Sequence, residues 1–268
     1  MPRSGGDVMK AVVMFSGGKG SWAAGQRAVQ RYGRENTVLL FADTLVEDED
    51  TYRFLHDAAE NLGAPLIKVA DGRTPFQVFK DDRFLGNARL ANCSKYLKQK
   101  PCRTWLEKHA PEDTVVVVGI DWTEEHRLPA IQAGWAPWTV WAPLTDAPYL
   151  DSQQVFDALR SEGVRPPRDY ELGLPHANCG AQGCVRGGQA YWQALLRGRR
   201  DVYLDTEREE QELRDYLEKD VAMLKDRTNG VSTPLTLREF RERLEAQPQL
   251  FDHEEWGGCG CFTEDVAS

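Results

Sequence analysis

Short apolar runs alternate with amphipathic stretches through the first half of the chain. Ala11–Phe15 is continuously apolar and predicts a buried strand. Ser21–Tyr32 has helical spacing and stops near Gly33. Thr37–Asp43 (TVLLFAD) predicts a second strand. In Asp50–Leu62, Phe54, Leu55, Ala58, Ala59 and Leu62 share a helical face, and Gly63 ends the run. Pro65–Ala70 predicts a third strand, and a long polar stretch follows through Asn92. Ser94–His109 predicts a helix interrupted at Pro101. Thr114–Asp121 (TVVVVGID) is the most strand-like segment, and Trp138–Leu144 is another strand.

This alternation predicts an α/β fold: a doubly wound, mostly parallel sheet of five or six strands with helices on both faces. The pattern changes after Leu144. Gln153–Ser161 predicts a helix, and an irregular Pro/Gly-rich stretch runs on to Cys184. Gln189–Leu196, Glu207–Asp226 and Arg238–Ala246 complete a helical C-terminal segment. Two parts are therefore expected, an α/β domain over 1–150 and a helical, Cys-containing segment and tail over 151–268.

Composition narrows the class. Of 268 residues, 41% are hydrophobic, enough for a sizeable core, and 28% are charged. No run approaches the roughly 20 apolar residues of a membrane span. MPRSGGDVMK lacks an apolar signal core, so a cytoplasmic protein is expected. The net charge of −9 disfavours non-specific nucleic-acid binding by the surface as a whole. Local basic groups remain at Arg89, Lys95, Lys98, Lys100 and Arg103. Arg197, Arg199 and Arg200 read as a solvated helix face.

Candidate chemistry gathers where strands end. An open parallel sheet binds ligands at the carboxyl ends of its strands. Three of those ends are polar: Ser16–Ser21 (SGGKGS), Asp43–Glu47 (DTLVE) and Asp121–Arg127 (DWTEEHR). A glycine-rich turn opening a helix presents backbone N–H groups at the positive end of the macrodipole, where phosphate fits. Gly17, Gly18 and Gly20 allow close approach, Ser16 and Ser21 add hydroxyls, and Lys19 adds charge. The loop is neither a Walker A sequence nor GxGxxG. A tight strand–helix turn without a ligand is the alternative.

SGGKGS resembles the pyrophosphate-binding loop, usually SGGxDS, of the adenine nucleotide alpha hydrolases. That superfamily includes the PP-loop ATP pyrophosphatases and the phosphoadenosine phosphosulfate reductases. The reductase-like branch is the more similar. FADTLVEDEDTYRFL (Phe41–Leu55) resembles its DT-x-x-E/P-x-T-Y block. CSKYLKQKPCRTWL (Cys93–Leu106), WAPLTDAPYLDSQQVFDAL (Trp141–Leu159) and RDYELGLPHANCGAQGC (Arg168–Cys184) resemble its later blocks, in order. Three departures stand out. Gly20 occupies the position of the usual aspartate, the usual tryptophan after the aspartate of the P-L-x-D segment is missing, and the cysteine pair is CxxxxC rather than CxxC.

The resemblance implies that the loop holds the phosphates of ATP or of an adenylyl sulfate, and it admits a homodimer. Asp43 and Glu47 are then candidates for Mg²⁺, which takes carboxylate and phosphate oxygens. Arg127 is a candidate phosphate or sulfate fork, and Lys98 a candidate for the anionic end of the substrate or the phosphates of a nucleic acid. The cysteine order, Cys93 and later Cys179 with Cys184, is similar to the iron–sulfur ligand order of assimilatory adenylyl-sulfate reductases. Cys102, Cys259 or Cys261 is available as a fourth ligand, and zinc or ordinary thiols are the alternatives. In the sulfonucleotide reductases a tail cysteine attacks the substrate sulfur, a role open to Cys259 or Cys261.

Three functions stay open on the sequence. One is an ATP-dependent enzyme that cleaves the α–β phosphate bond, adenylates a nucleic acid or small metabolite and transfers sulfur or another nucleophile. The second is a sulfonucleotide reductase. The third is a nucleotide-binding module without turnover.

Overall fold

The structure is a computed structural model, and it describes residues 9–227 and 231–246. Five strands, β1 (Lys10–Met14), β2 (Thr37–Asp43), β3 (Leu66–Ala70), β4 (Thr114–Val117) and β5 (Thr139–Trp141), form one sheet in the order β3-β2-β1-β4-β5. Every pairing is parallel, with Val12 opposite Val38 on one side and Val116 on the other. The chain winds outward from β1 to β3, then returns to β4 on the other side of β1 and proceeds to β5. Between β1 and β4 the direction of winding reverses, and the crevice at their carboxyl ends is the ligand position of such a sheet.

Both faces are covered, which is why the central strands are apolar without alternation. On one face α1 (Lys19–Tyr32), α2 (Glu49–Leu62) and α6 (Ser152–Ser161) bury Trp22, Phe54, Leu55 and Leu159 against Val13, Leu39 and Val117. On the other, α4 (Lys100–Leu106) and α5 (Leu128–Trp135) bury Cys102, Leu106, Ile131 and Trp135 against Val12, Leu40 and Val116. The α/β, doubly wound expectation holds, with five strands in the sheet.

A separate core lies beyond the sheet. It joins α3 (Pro75–Asp81) to α7 (Gln189–Gly198), α8 (Arg200–Leu217), α9 (Leu237–Ala246) and the antiparallel pair β6 (Leu224–Asp226) and β7 (Thr233–Leu235). Trp192 and Tyr203 are fully buried at its centre, ring edge to ring face at 5.9 Å.

Several elements differ from the periodicity. The polar stretch before Asn92 contains α3, which starts with a capping box between Thr74 and Gln77 and a proline in its first turn. The helix expected over Ser94–His109 is a π-helical turn, Ser94–Gln99, followed by α4, with Pro101 in the first turn of α4 where its missing N–H is harmless. Helix α8 starts seven residues before Glu207 and ends at Leu217, where Glu218 turns left-handed at φ 54°. Leu224–Asp226 is strand rather than helix.

Candidate functional site

The glycine-rich segment leaves β1 and enters α1 at the reversal of the sheet. Gly17 has φ 76°, and a Cβ there would sit 2.8 Å from Thr51 Cγ2, so the turn packs directly on α2. Helix α1 begins after Gly18 with no side-chain cap and no acidic residue in its first turn. Its leading amides and positive dipole end thus face the crevice without a compensating carboxylate of their own turn. One of these donors has an identified partner: Lys19 N–H donates to the hydroxyl of Tyr170 at 3.1 Å, across 151 residues of chain. Ser21 Oγ donates back to the Gly18 carbonyl at 2.8 Å and fixes the turn.

Gly20 is required by contact. A Cβ on it would lie 2.9 Å from the Gly119 carbonyl oxygen, and a Cβ on Gly119 would lie 2.9 Å from the Gly20 backbone and Ser21 N. The two main chains touch where the loop crosses the end of β4. Any side chain at position 20, an aspartate included, would have to displace this backbone.

A cleft of about 430 Å³ opens above this contact, a volume in the range of small-molecule sites. The loop supplies Ser16 and Gly18–Ser21. The exit of β4 supplies Val118–Asp121, and the following 3₁₀ turn supplies Glu124 and Arg127. Asp151 and Ser152 at the start of α6, and Tyr170, His176 and Asn178 from the irregular stretch, close the far side. Met14, Ile120, Leu144 and Leu150 give it an apolar part. Lys19 reaches across it: Nζ hydrogen-bonds Ser152 Oγ and lies 4.2 Å from the Phe156 ring centre and 5.2 Å from that of Tyr170. Burial lowers the Lys19 pKa, and Asp121 opposes that shift. Arg127 is ion-paired to Glu124.

The other expected site residues lie elsewhere. Asp43 and Glu47 do not line the cleft. Asp43 accepts from Tyr52 Oη at 2.6 Å and Leu45 N–H at 2.9 Å. Glu47 is buried and accepts from Thr44 Oγ1 at 2.8 Å and Cys179 N–H at 2.6 Å. Lys98 is buried in the π-helical turn, close enough to Cys102 to act on its thiol, and is not part of the cleft lining.

The proposed metal set of Cys93, Cys102, Cys179 and Cys184 is not assembled. Cys102 packs under the sheet among Leu106, Val116 and Ile131, and burial pushes its thiol up to about 12. Cys184 belongs to the helical core, with Cys93 packed against it, and Cys179 lies beside Thr44, Sγ to Oγ1 at 3.9 Å. Among the described residues no group of three or more His, Cys, Asp or Glu side chains is arranged to hold a metal ion. A four-thiolate iron–sulfur or zinc site built on Cys102 does not fit this arrangement. Cys259 and Cys261 lie outside the described residues.

Sequence reasoning missed the support behind the cleft. Asp48 is 2% exposed and caps α2, accepting from Asp50 N–H at 2.8 Å. It also accepts from Arg168 and Arg199, both at 2.7 Å. Arg199, read as part of a solvated face, instead ties the helical segment to the loop after β2. Asp169, 1% exposed, completes the group at 3.7 Å from Arg199, and among the described residues its carboxylate oxygens have no hydrogen-bond partner. The signal for this group was faint: two arginines and two aspartates in separate polar stretches.

Asp169 makes stability depend on pH. Burial, then the charge of Asp48, push its pKa up to about 6. The folded state therefore holds this proton where the unfolded chain has already released it near the ordinary value of 3.8. Stability falls as pH rises through that window, and the penalty persists above it. Asp169→Asn is expected to flatten this slope and to stabilise the protein by about 1–3 kcal/mol at neutral pH, measured by urea unfolding. A residual slope remains from Glu210, which burial raises to about 7. An unchanged pH profile in Asp169→Asn would contradict this assignment.

No protein-family model matches the chain, and no curated protein matches it. Among solved structures, a phosphoadenylyl-sulfate (PAPS) reductase from Candida auris, in a phosphate complex, is similar over 62% of this chain and 78% of its own. The identity is 17% and the TM-score 0.43, a likeness that carries no information on activity.

Proposed function

We propose that the chain is a nucleotide-dependent enzyme that binds ATP in the cleft, cleaves the bond between the α and β phosphates and adenylates an acceptor. The observation that carries this reading is the start of α1 at the reversal of the sheet, with no acidic residue in its first turn, facing a cleft lined by polar and apolar residues. The loop amides bind the β and γ phosphates, and the apolar end around Met14, Ile120 and Leu144 takes the base. An acceptor oxygen attacks the α phosphorus, the α–β bridge breaks, and pyrophosphate departs against the positive end of α1. Arg127 supplies a fork of donors to the phosphates once Glu124 releases it. A second nucleophile, sulfur or nitrogen, then displaces AMP from the acceptor.

Mg²⁺ needs only one or two protein carboxylates beside phosphate oxygens, and Asp121, Glu124 and Asp151 line the cleft where Asp43 and Glu47 do not. When bound, the ion neutralises charge on the departing pyrophosphate. No step is assigned to a cysteine-bound cluster.

The test is pyrophosphate release from ATP in the presence of candidate acceptors, alongside calorimetric binding of ATP. Wild type is expected to bind ATP, and Ser16→Ala to weaken binding by about tenfold through loss of a hydroxyl donor to phosphate. Sulfite formation from adenylyl sulfate and a thiol, without ATP consumption, would instead establish the reductase reading. Tight ATP binding with no product would reduce the chain to a binding module.

A further inference from the structure

A second cavity, about 520 Å³, adjoins the cleft. Tyr170 lines both. Its hydroxyl is on the loop side, bonded to Lys19 N–H, and its ring forms part of the second cavity's wall, packed edge to face on Phe156 at 5.2 Å. One side chain thus borders both the glycine-rich loop and a space large enough for another small molecule.

The chemistry of that space is consistent. Phe156, Tyr170, Pro166 and Pro167 give it flat apolar walls, and Arg160, Arg165 and Glu171 also line it, the Arg165 guanidinium being ion-paired with Asp50. Arg160 is 62% exposed on its side chain, and its ion partner among the described residues is the equally exposed Asp157. The cavity is also held in shape. Arg53 is clamped on Asp50 and donates to the carbonyls of Arg165 and Pro166 at 3.1 and 3.2 Å. Asp50 in turn accepts from Arg165 and from the Arg168 N–H, at 2.7 and 2.8 Å. The Pro-Pro rim is therefore fixed to the start of α2 before any ligand arrives, which lowers the ordering cost of binding.

We propose that this cavity is the acceptor site, and that it takes a small molecule with a flat unsaturated ring and a negatively charged group. The ring lies against Phe156 and the prolines, the anion meets Arg160, and the acceptor oxygen reaches past Tyr170 to the α phosphorus in the cleft. The acceptor role rests on the adenylation reading; the binding site itself does not.

Naphthalene carboxylate is the probe for this cavity and inorganic pyrophosphate the probe for the loop, each followed by calorimetry and by saturation-transfer NMR. Naphthalene carboxylate is expected to bind with a Kd on the order of 1 mM, with or without saturating pyrophosphate. Arg160→Ala and Phe156→Leu should each weaken it by about fivefold, and Arg160→Ala should leave pyrophosphate affinity unchanged. Arg160 is exposed, so its variant tests the site without risk to the fold. Absence of binding, displacement by pyrophosphate, or unaltered affinity in both variants would overturn the proposal. If naphthalene carboxylate binds as expected but pyrophosphate does not bind at all, the cavity stands as a site and the nucleotide reading fails.

Discussion

Asp48→Ala is expected to destabilise the folded chain by about 3–5 kcal/mol, the cost of removing one partner from a buried charge cluster. Asp48 is 2% exposed and serves three donors at once: the amide of Asp50, Arg168 and Arg199. Its loss uncaps α2, worth about 1 kcal/mol alone. It also leaves Arg199, 18% exposed on its side chain, with Asp169 at 3.7 Å as its nearest carboxylate. The arginines lower the Asp48 pKa against the opposing effect of its burial. That pairing contributes stability above the ordinary carboxylate range and is lost as pH falls through the lowered value. Urea unfolding at neutral pH should show a lower midpoint at unchanged slope. A loss below about 1 kcal/mol would mean that solvent reaches the cluster freely.

Gly20→Asp, which restores the residue usual in the loops this one resembles, is expected to harm rather than improve the protein. Its Cβ would meet the Gly119 carbonyl oxygen at 2.9 Å, and that oxygen is backbone, which yields less readily than the end of a side chain. Overpacking of this kind costs about 1–3 kcal/mol. The local consequence is larger, because the strain falls on the amides that face the cleft, and a displaced loop should lose pyrophosphate affinity by at least about tenfold. Gly20→Ala carries the same clash without the charge and should show most of the effect. Binding and stability equal to wild type in Gly20→Ala would show that the loop and β4 part easily.

The sheet was legible because its central strands are covered on both faces, so Ala11–Phe15 and Thr114–Asp121 appear as unbroken apolar runs. The place of the glycine-rich turn was legible for a related reason: the glycines of SGGKGS end the apolar run and mark where β1 passes into α1. Helix α3 was hidden because its apolar face is short, although Thr74, Pro75 and Gln77 spell a capping box. The cysteines misled because spacing along a chain does not say which side of a sheet a residue reaches. Cys102 lies one turn beyond Lys98 on the helix beneath the sheet, facing apolar strands. Asp43 and Glu47 do follow a strand end, as expected, but β2 is one strand away from the reversal, so their partners are Tyr52 and Cys179. The far side of the cleft was invisible because Tyr170, His176 and Asn178 come from a stretch without periodicity, placed by contacts distant in sequence.

The bond from Lys19 N–H to Tyr170 has a thermodynamic meaning for any ligand of the loop. The seat at that amide is already taken, so a newcomer gains only the difference between its own bond and the phenol's. A single small anion, touching little else, is repaid poorly for that exchange. A polyphosphate reaching several donors at once can leave the phenol in place and still gain the others, so longer phosphate chains are expected to tolerate this occupant, supplied by the protein itself, better than single anions do.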